Sequence, residues 1–177
     1  MGDDRSSHLA VMLRVLYGID LQERGEAAEA LPHLEMACTT IAAEGRALDL
    51  PVPLARLGLA LLDLGREDGA LPLFIESLQI AARLELAGIA MFPLLGLARV
   101  GARSTDRAQQ EMAAIALGAA EEIVLGQGLA WGAYWEGIVM GMHEALTGAL
   151  GEDAASELLA RGHALSIAEV LAIATHP

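Results

Sequence analysis

Five histidines, one cysteine and 24 carboxylates are the residues through which this sequence could do chemistry. His8, His33, His143, His163 and His176 show neither an H-E-x-x-H spacing nor the Cys/His spacing of a zinc site. His143 and Glu144 are neighbours, so on a helix their side chains diverge by about 100°. No metal ligand is assigned. No G-x-S-x-G elbow occurs, and no serine has a histidine and a carboxylate placed to suggest a triad. All eleven basic residues are arginine, which excludes a Walker A loop and a Schiff-base lysine in this chain. The pairs Glu121-Glu122 and Glu152-Asp153 fall at expected helix ends and read as solvated charge. Cys38 stands alone, so no intramolecular disulfide forms. It reads as a small buried residue of a second helix in preference to a reactive thiol. These residues predict no catalytic group and no cofactor, hence a protein that is not an enzyme.

The remaining candidates are aromatic. Trp131, Tyr134 and Trp135 are half of the six aromatic residues, and they share one helical face that Ile138 and Met142 continue. Two readings stand side by side. The cluster is either a core or capping seam, or the wall of a small-molecule or peptide pocket with Arg103 and Glu136 as polar partners.

Composition narrows the partners. A net charge of −13 argues against nucleic acid and against anionic membranes. The start, MGDDRSSH, is acidic and polar, unlike a signal peptide. The longest uncharged stretches, 86–98 and 123–135, fall short of the ~20 apolar residues of a spanning helix. A mean hydropathy of +0.44 with 3% aromatics favours closely packed helices. The expectation is one soluble, cytoplasmic domain.

What would position these side chains is written in a recurring segment. Residues 17–37 and 57–77 lie forty positions apart. They share Gly18/Gly58, Leu21/Leu61, Gly25/Gly65 and Ala30-Leu31-Pro32/Ala70-Leu71-Pro72. Each copy reads as a helical hairpin, a unit that stacks because it cannot bury its apolar face alone. Gly18 and Gly58 sit mid-helix, where glycine costs about 1 kcal/mol unless a neighbouring helix comes close. Gly25 and Gly65 mark left-handed helix ends, and Pro32 and Pro72 lie near first turns. Leu34 and Phe74 fill the hairpin interiors. A third, poorer copy begins near Ile89, with Phe92, Leu95 and Gly96 in the places of Leu54, Leu57 and Gly58, and Ala108 in that of Ala70. The expected helices span about 8–24, 26–44, 53–64, 68–86, 89 onward, a long one to 125, 131–147, 153–161 and 167–174. Leu9, Leu13, Leu16, Ile19 and Leu21 give the first its apolar period. Asp68, and Ser104 or Thr105, are the expected N-caps. Ser166 with Glu169 has capping-box spacing.

This arrangement resembles the tetratricopeptide (TPR) repeat at Gly18, Gly25, Ala30, Leu34 and Ala37, and at Gly58, Gly65, Ala70, Phe74 and Ser77. It departs in lacking the family's tryptophan, in having no closing proline, and in its longer period. A second resemblance lies in LGAAEEI (117–123) and ALTGALGEDAASELLARGHALSIAEVLAIA (145–174). These are similar to the C-terminal sensor arm of bacterial STAND-type ATPase regulators (LuxR-like and adenylyl-cyclase-like). The resemblances imply an all-α fold of antiparallel hairpins in a TPR-like right-handed superhelix of about nine helices. Its hairpins would cover about 8–46, 52–86 and 89–126, with C-terminal capping helices over 130–175 and a disordered 1–7. In those regulators nucleotide and DNA sites lie in other domains, so the chain is an arm of a longer protein or a free-standing relative.

TPR geometry lines the concave side with first helices. That places Met12, Val15, Ile19, Gln22, Val52, Ala55, Leu59, Leu62, Leu97 and Val100 there, an apolar surface. It would receive an amphipathic helix, a hydrophobic ligand or a second copy, unless the hairpins curl enough to fill it. The expected function is a non-enzymatic protein-interaction module, related to a regulator's sensor arm, that binds another chain or a second copy of itself, as a homodimer, through that groove. The alternative is a small-molecule (inducer) sensor with a pocket near Trp131 and Trp135.

Overall fold

Apolar residues at helical spacing build this chain, and each of the first four runs is closed by a residue in the left-handed region. A computed structural model describes residues 3–128 and 130–175. Among them are nine α-helices and no strand: α1 (Asp3–Glu23), α2 (Ala27–Ala43), α3 (Pro51–Asp63), α4 (Glu67–Arg83), α5 (Ala87–Arg103), α6 (Arg107–Gly126), α7 (Ala133–Leu150), α8 (Glu152–Ala164) and α9 (Ile167–Thr175). The all-α expectation and the helix number hold.

The punctuation is regular. Gly25, Gly45, Gly65 and Glu85 have φ of +82°, +67°, +70° and +55°, one at every twentieth residue. At the first, Gly25 N–H donates to the Gln22 carbonyl and Glu26 N–H to that of Leu21, the pairing that satisfies a helix's last carbonyls. The rhythm stops after α5. There Asp106 caps α6, accepting from the Ala108 and Gln109 amides, and Ser104 Oγ accepts from the Asp106 amide. The cap is thus Asp106, not Ser104 or Thr105, because its carboxylate reaches two free amides at once. Asp68 likewise lies in the first turn of α4, whose N-cap is Arg66. The helix expected from 53 begins at Pro51, since proline in a first turn forfeits no hydrogen bond. α1 is helical from Asp3, which corrects the disordered start over 3–7; residues 1 and 2 lie outside the described residues. α7 runs to Leu150, and Gly151 alone, at φ +87°, separates it from α8. The capping box forms: the Ser166 amide donates to Glu169 Oε2 at 2.8 Å and the Glu169 amide to Ser166 Oγ at 3.3 Å.

Packing follows from the helix glycines. Phe74, fully buried, places its ring edge in a notch shared by Gly58 of α3 and Gly96 of α5. A Cβ there would lie 2.6 and 2.2 Å from Phe74 Cε1. Gly18 makes the same room for Leu34, 2.9 Å from its Cγ. Consecutive helices pack on one another through α6, and α3 also meets α5. In the third hairpin the small partner is Ala113, opposite Gly101, whereas Ala108 is exposed. α8 lies along α6, and α9 packs on α4 and α6 through the buried Val170. α7 is held by α5, α6 and α8, burying Trp135, Val139, Met142, Leu146 and Leu150.

Candidate functional site

An arginine interrupts the apolar run of α3, PVPLARLGLALLD, and it is the centre of the site. Arg56 is only 5% exposed. Its guanidinium lies 5.1 Å from the Phe92 ring centroid and 5.2 Å from that of Trp135, contacts worth about 0.5–2 kcal/mol each. Nη2 pairs with Glu23 Oε1 at 3.2 Å, and Gln22 Nε2 donates to the Arg56 carbonyl at 3.4 Å. Nε and Nη1, like Gln22 Oε1, are buried without a partner. Burial pulls the Arg56 pKa down, and Glu23 opposes that shift. One side chain therefore joins α1, α3, α5 and α7.

A second arginine pair continues along α5. Arg99 Nη2 meets Asp63 Oδ1 at 2.5 Å, and Arg103 Nη1 donates to the Leu62 carbonyl at 3.3 Å. Glu23 and Asp63 occupy equivalent positions of the forty-residue repeat, and each holds an arginine of the following odd-numbered helix. Tyr134 senses both pairs electrostatically; its hydroxyl pKa is raised, by burial first and by Asp63 next, with Arg99 and Arg56 opposing. Between α5 and α7 lies a cleft of about 230 Å³ lined by Arg99, Ala102, Arg103, Gly137, Ile138, Gly141, Met142 and Ala145.

The residues expected on an open groove are distributed otherwise. Ala55, Leu59, Leu62 and Leu97 are enclosed in the main core, with Val100 at its margin. Val15 and Gln22 are buried, while Met12, Ile19 and Val52 are half-buried. The physical reason is α7: its Trp135 and Val139 belong to the same core cluster as Leu59 and Leu97, so the chain covers this surface itself. Trp135 and Tyr134 are brought together, their rings at 5.1 Å edge to face. Trp131 is directed elsewhere, into a cleft of about 410 Å³ with Glu121, Val124, Leu125, Ala130 and Glu136. Arg103 and Glu136 accordingly line different clefts. Arg56, Arg99, Glu23 and Asp63 went unread in the sequence, and Phe92 was read only as a repeat position. Their signal was an acid repeated at the end of two first helices and an arginine inside an apolar run.

A third polar cluster holds the C-terminal helices. Glu121 of α6 takes His143 Nε2 of α7 at 2.6 Å and His163 Nε2 of α8 at 3.2 Å, one on each oxygen. Among the described residues, no group of three or more His, Cys, Asp or Glu is arranged to hold a metal ion. Burial opposes ionisation of Glu121, but the two imidazole hydrogen bonds outweigh it and hold its pKa below the usual carboxylate range. The Glu121 bond raises the pKa of His143, against burial. A raised histidine adds stability that is complete below its unfolded value, about 6.5, and vanishes as pH rises through its folded value. A depressed carboxylate adds stability above its unfolded value, about 4.3, and loses it as pH falls through its folded one. The clamp is therefore tightest between about pH 4.3 and 6.5. Thermal melts should show the wild-type midpoint dropping more steeply above pH 6.5 than that of Glu121→Gln; parallel curves would remove the clamp from the account.

Cys38 is buried, and burial, with Glu76 nearby, pushes its thiol up to about 12, far from thiolate reactivity. No helix among the described residues is long and apolar enough to cross a membrane. The geometry defines an all-helical protein of stacked hairpins with an internal arginine–aromatic cluster. Comparison with known proteins finds no family model, no curated protein and no solved structure that matches the chain.

Proposed function

We propose that this chain is a non-enzymatic helical-repeat interaction module, of the kind found in the TPR-like sensor arms of bacterial signal-transduction ATPases. It pairs with a second copy of itself through the outer face of α1. The observation behind this reading is a row of large apolar side chains in solvent: Leu9, Leu13, Leu16 and Tyr17 are 49–60% exposed. Met36 of α2, in contact with Arg14, extends the row. These leucines give α1 its apolar period in the sequence, yet they face outward, while Val11, Val15 and Leu21 face in.

Charge leaves this face open to a second copy. Two chains of net charge −13 repel over most of their surface. Residues 8–17 contain no carboxylate, and Arg14 is their only arginine. This is a face over which like-charged copies can approach. The row covers little more than two turns, less than the ~800 Å² per partner of a standard interface, so association should be of order micromolar. Light scattering across a concentration series tests it: wild type should pass from monomer to dimer, and Leu13→Glu should stay monomeric with the melting curve of dilute, monomeric wild type. A wild type that is monomeric throughout would sink the pairing.

A further inference from the structure

We propose that the cleft between α5 and α7 binds the oxyanion group, carboxylate or phosphate, of a small acidic molecule. This goes beyond the pairing of α1 and does not depend on it. Arg99 and Arg103 supply the donors. Asp63 holds Arg99 through Nη2, while Nη1 is buried and has no partner. Arg103 is steered by the Leu62 carbonyl and by Glu67 at 3.9 Å. Both guanidiniums are oriented from the α3–α4 side, so a planar donor fork can grip an oxyanion with little further ordering.

The lining is selective. None of the described residues that line the cleft is acidic, in a chain with 24 acidic and 11 basic residues. Its far wall is α7, where Gly137 and Gly141 supply space and not packing. A Cβ at either meets nothing within 4 Å. No neighbouring helix requires these glycines, although each weakens α7 relative to alanine. Ile138 and Met142 add an apolar side for the rest of the ligand. At about 230 Å³ the cleft lies below the roughly 300–1,000 Å³ of sites for drug-sized molecules, which points to a small acid.

The test is a titration of the full chain, followed by ¹H–¹⁵N spectra, with sodium phosphate and separately with sodium malonate. Ionic strength is held constant with sodium chloride. Saturable shifts at the Gly137 and Gly141 amides are expected with at least one anion. Phosphate alone marks a phosphoryl ligand, malonate alone a carboxylate. Arg99→Gln and Arg103→Gln should each weaken binding about tenfold. Gly141→Leu, whose Cβ meets nothing within 4 Å and whose longer side chain would fill the cleft, should abolish saturation while leaving the melting midpoint at or above wild type. Absence of saturable shifts with both anions, or saturation that persists in Gly141→Leu, overturns the assignment.

Discussion

Phe74→Ala is expected to lower the free energy of unfolding by about 3–5 kcal/mol, a large part of the ~5–15 kcal/mol that holds a domain of ordinary stability together. The ring is fully buried and touches both α3 and α5 through their glycines, so its removal opens a cavity at the junction of two hairpins. The converse substitutions act from the other side. Alanine at Gly96 would put a Cβ 2.2–2.5 Å from three ring atoms, and alanine at Gly58 one 2.6–3.1 Å from the same edge. Gly96→Ala should therefore cost more than Gly58→Ala, each about 1–3 kcal/mol by overpacking. Combining Gly96→Ala with Phe74→Leu should cost less than the sum of the single changes, because the smaller side chain vacates the notch. Denaturant melts measure all five variants, Phe74→Leu alone included. A neutral Gly96→Ala would mean that the notch does not set the spacing of these helices. Gly137→Ala is the control: its Cβ faces open space, and it should stabilise by about 0.5–1 kcal/mol.

The second large effect belongs to the crossing of α6 and α8. A Cβ on Gly118 would lie 2.1 Å from the Leu159 carbonyl oxygen, and one on Gly162 would lie 2.1 Å from that of Ile115. Here the obstacle is main chain, which cannot rotate aside as a side chain does, so the helices must separate. Gly118→Ala and Gly162→Ala should each cost about 3 kcal/mol or more, the upper end of overpacking. The loss should also be local at first. α8 would take with it His163, bound to Glu121, and the start of α9. Hydrogen exchange should therefore show protection falling over 152–175 while α1–α4 keep theirs. Uniform loss across the chain, or none, would contradict a close crossing that holds the C-terminal helices.

Much of the fold was legible because its signals are local. The forty-residue recurrence identified Gly25 and Gly65 as left-handed helix ends, and both have positive φ. The Ser166/Glu169 spacing announced a capping box that forms. The third hairpin was harder. Ala108 stood at the expected offset, but the loop ahead of α6 is built on Asp106, and Ala113 became the partner of Gly101. The site was legible only in fragments. Trp131, Tyr134 and Trp135 lie near one another in sequence, yet α7 begins at Ala133, so Trp131 precedes the helix and turns to another cleft. The arginine cluster was missed because its members come from different hairpins: Glu23 and Arg56 meet only once α1 and α3 are side by side.

By itself the sequence determined where helices run and stop, since periodicity, capping side chains and glycine conformations act within a few residues. It also made the chain acidic and free of lysine, which restricts what can approach it. Only the tertiary structure decided which way α1 faces. That helix is apolar on two sides, Leu9, Leu13 and Leu16 on one and Val11, Val15 and Leu21 on the other. Helical period cannot choose between them. The choice falls to Gly18, which must face Leu34 because a Cβ there would come within 2.9 Å of it. Seating that glycine turns the three leucines to solvent. The covering of α3 and α5 by α7 is likewise a long-range matter, set by how Trp135 fits beside Phe92 and Arg56.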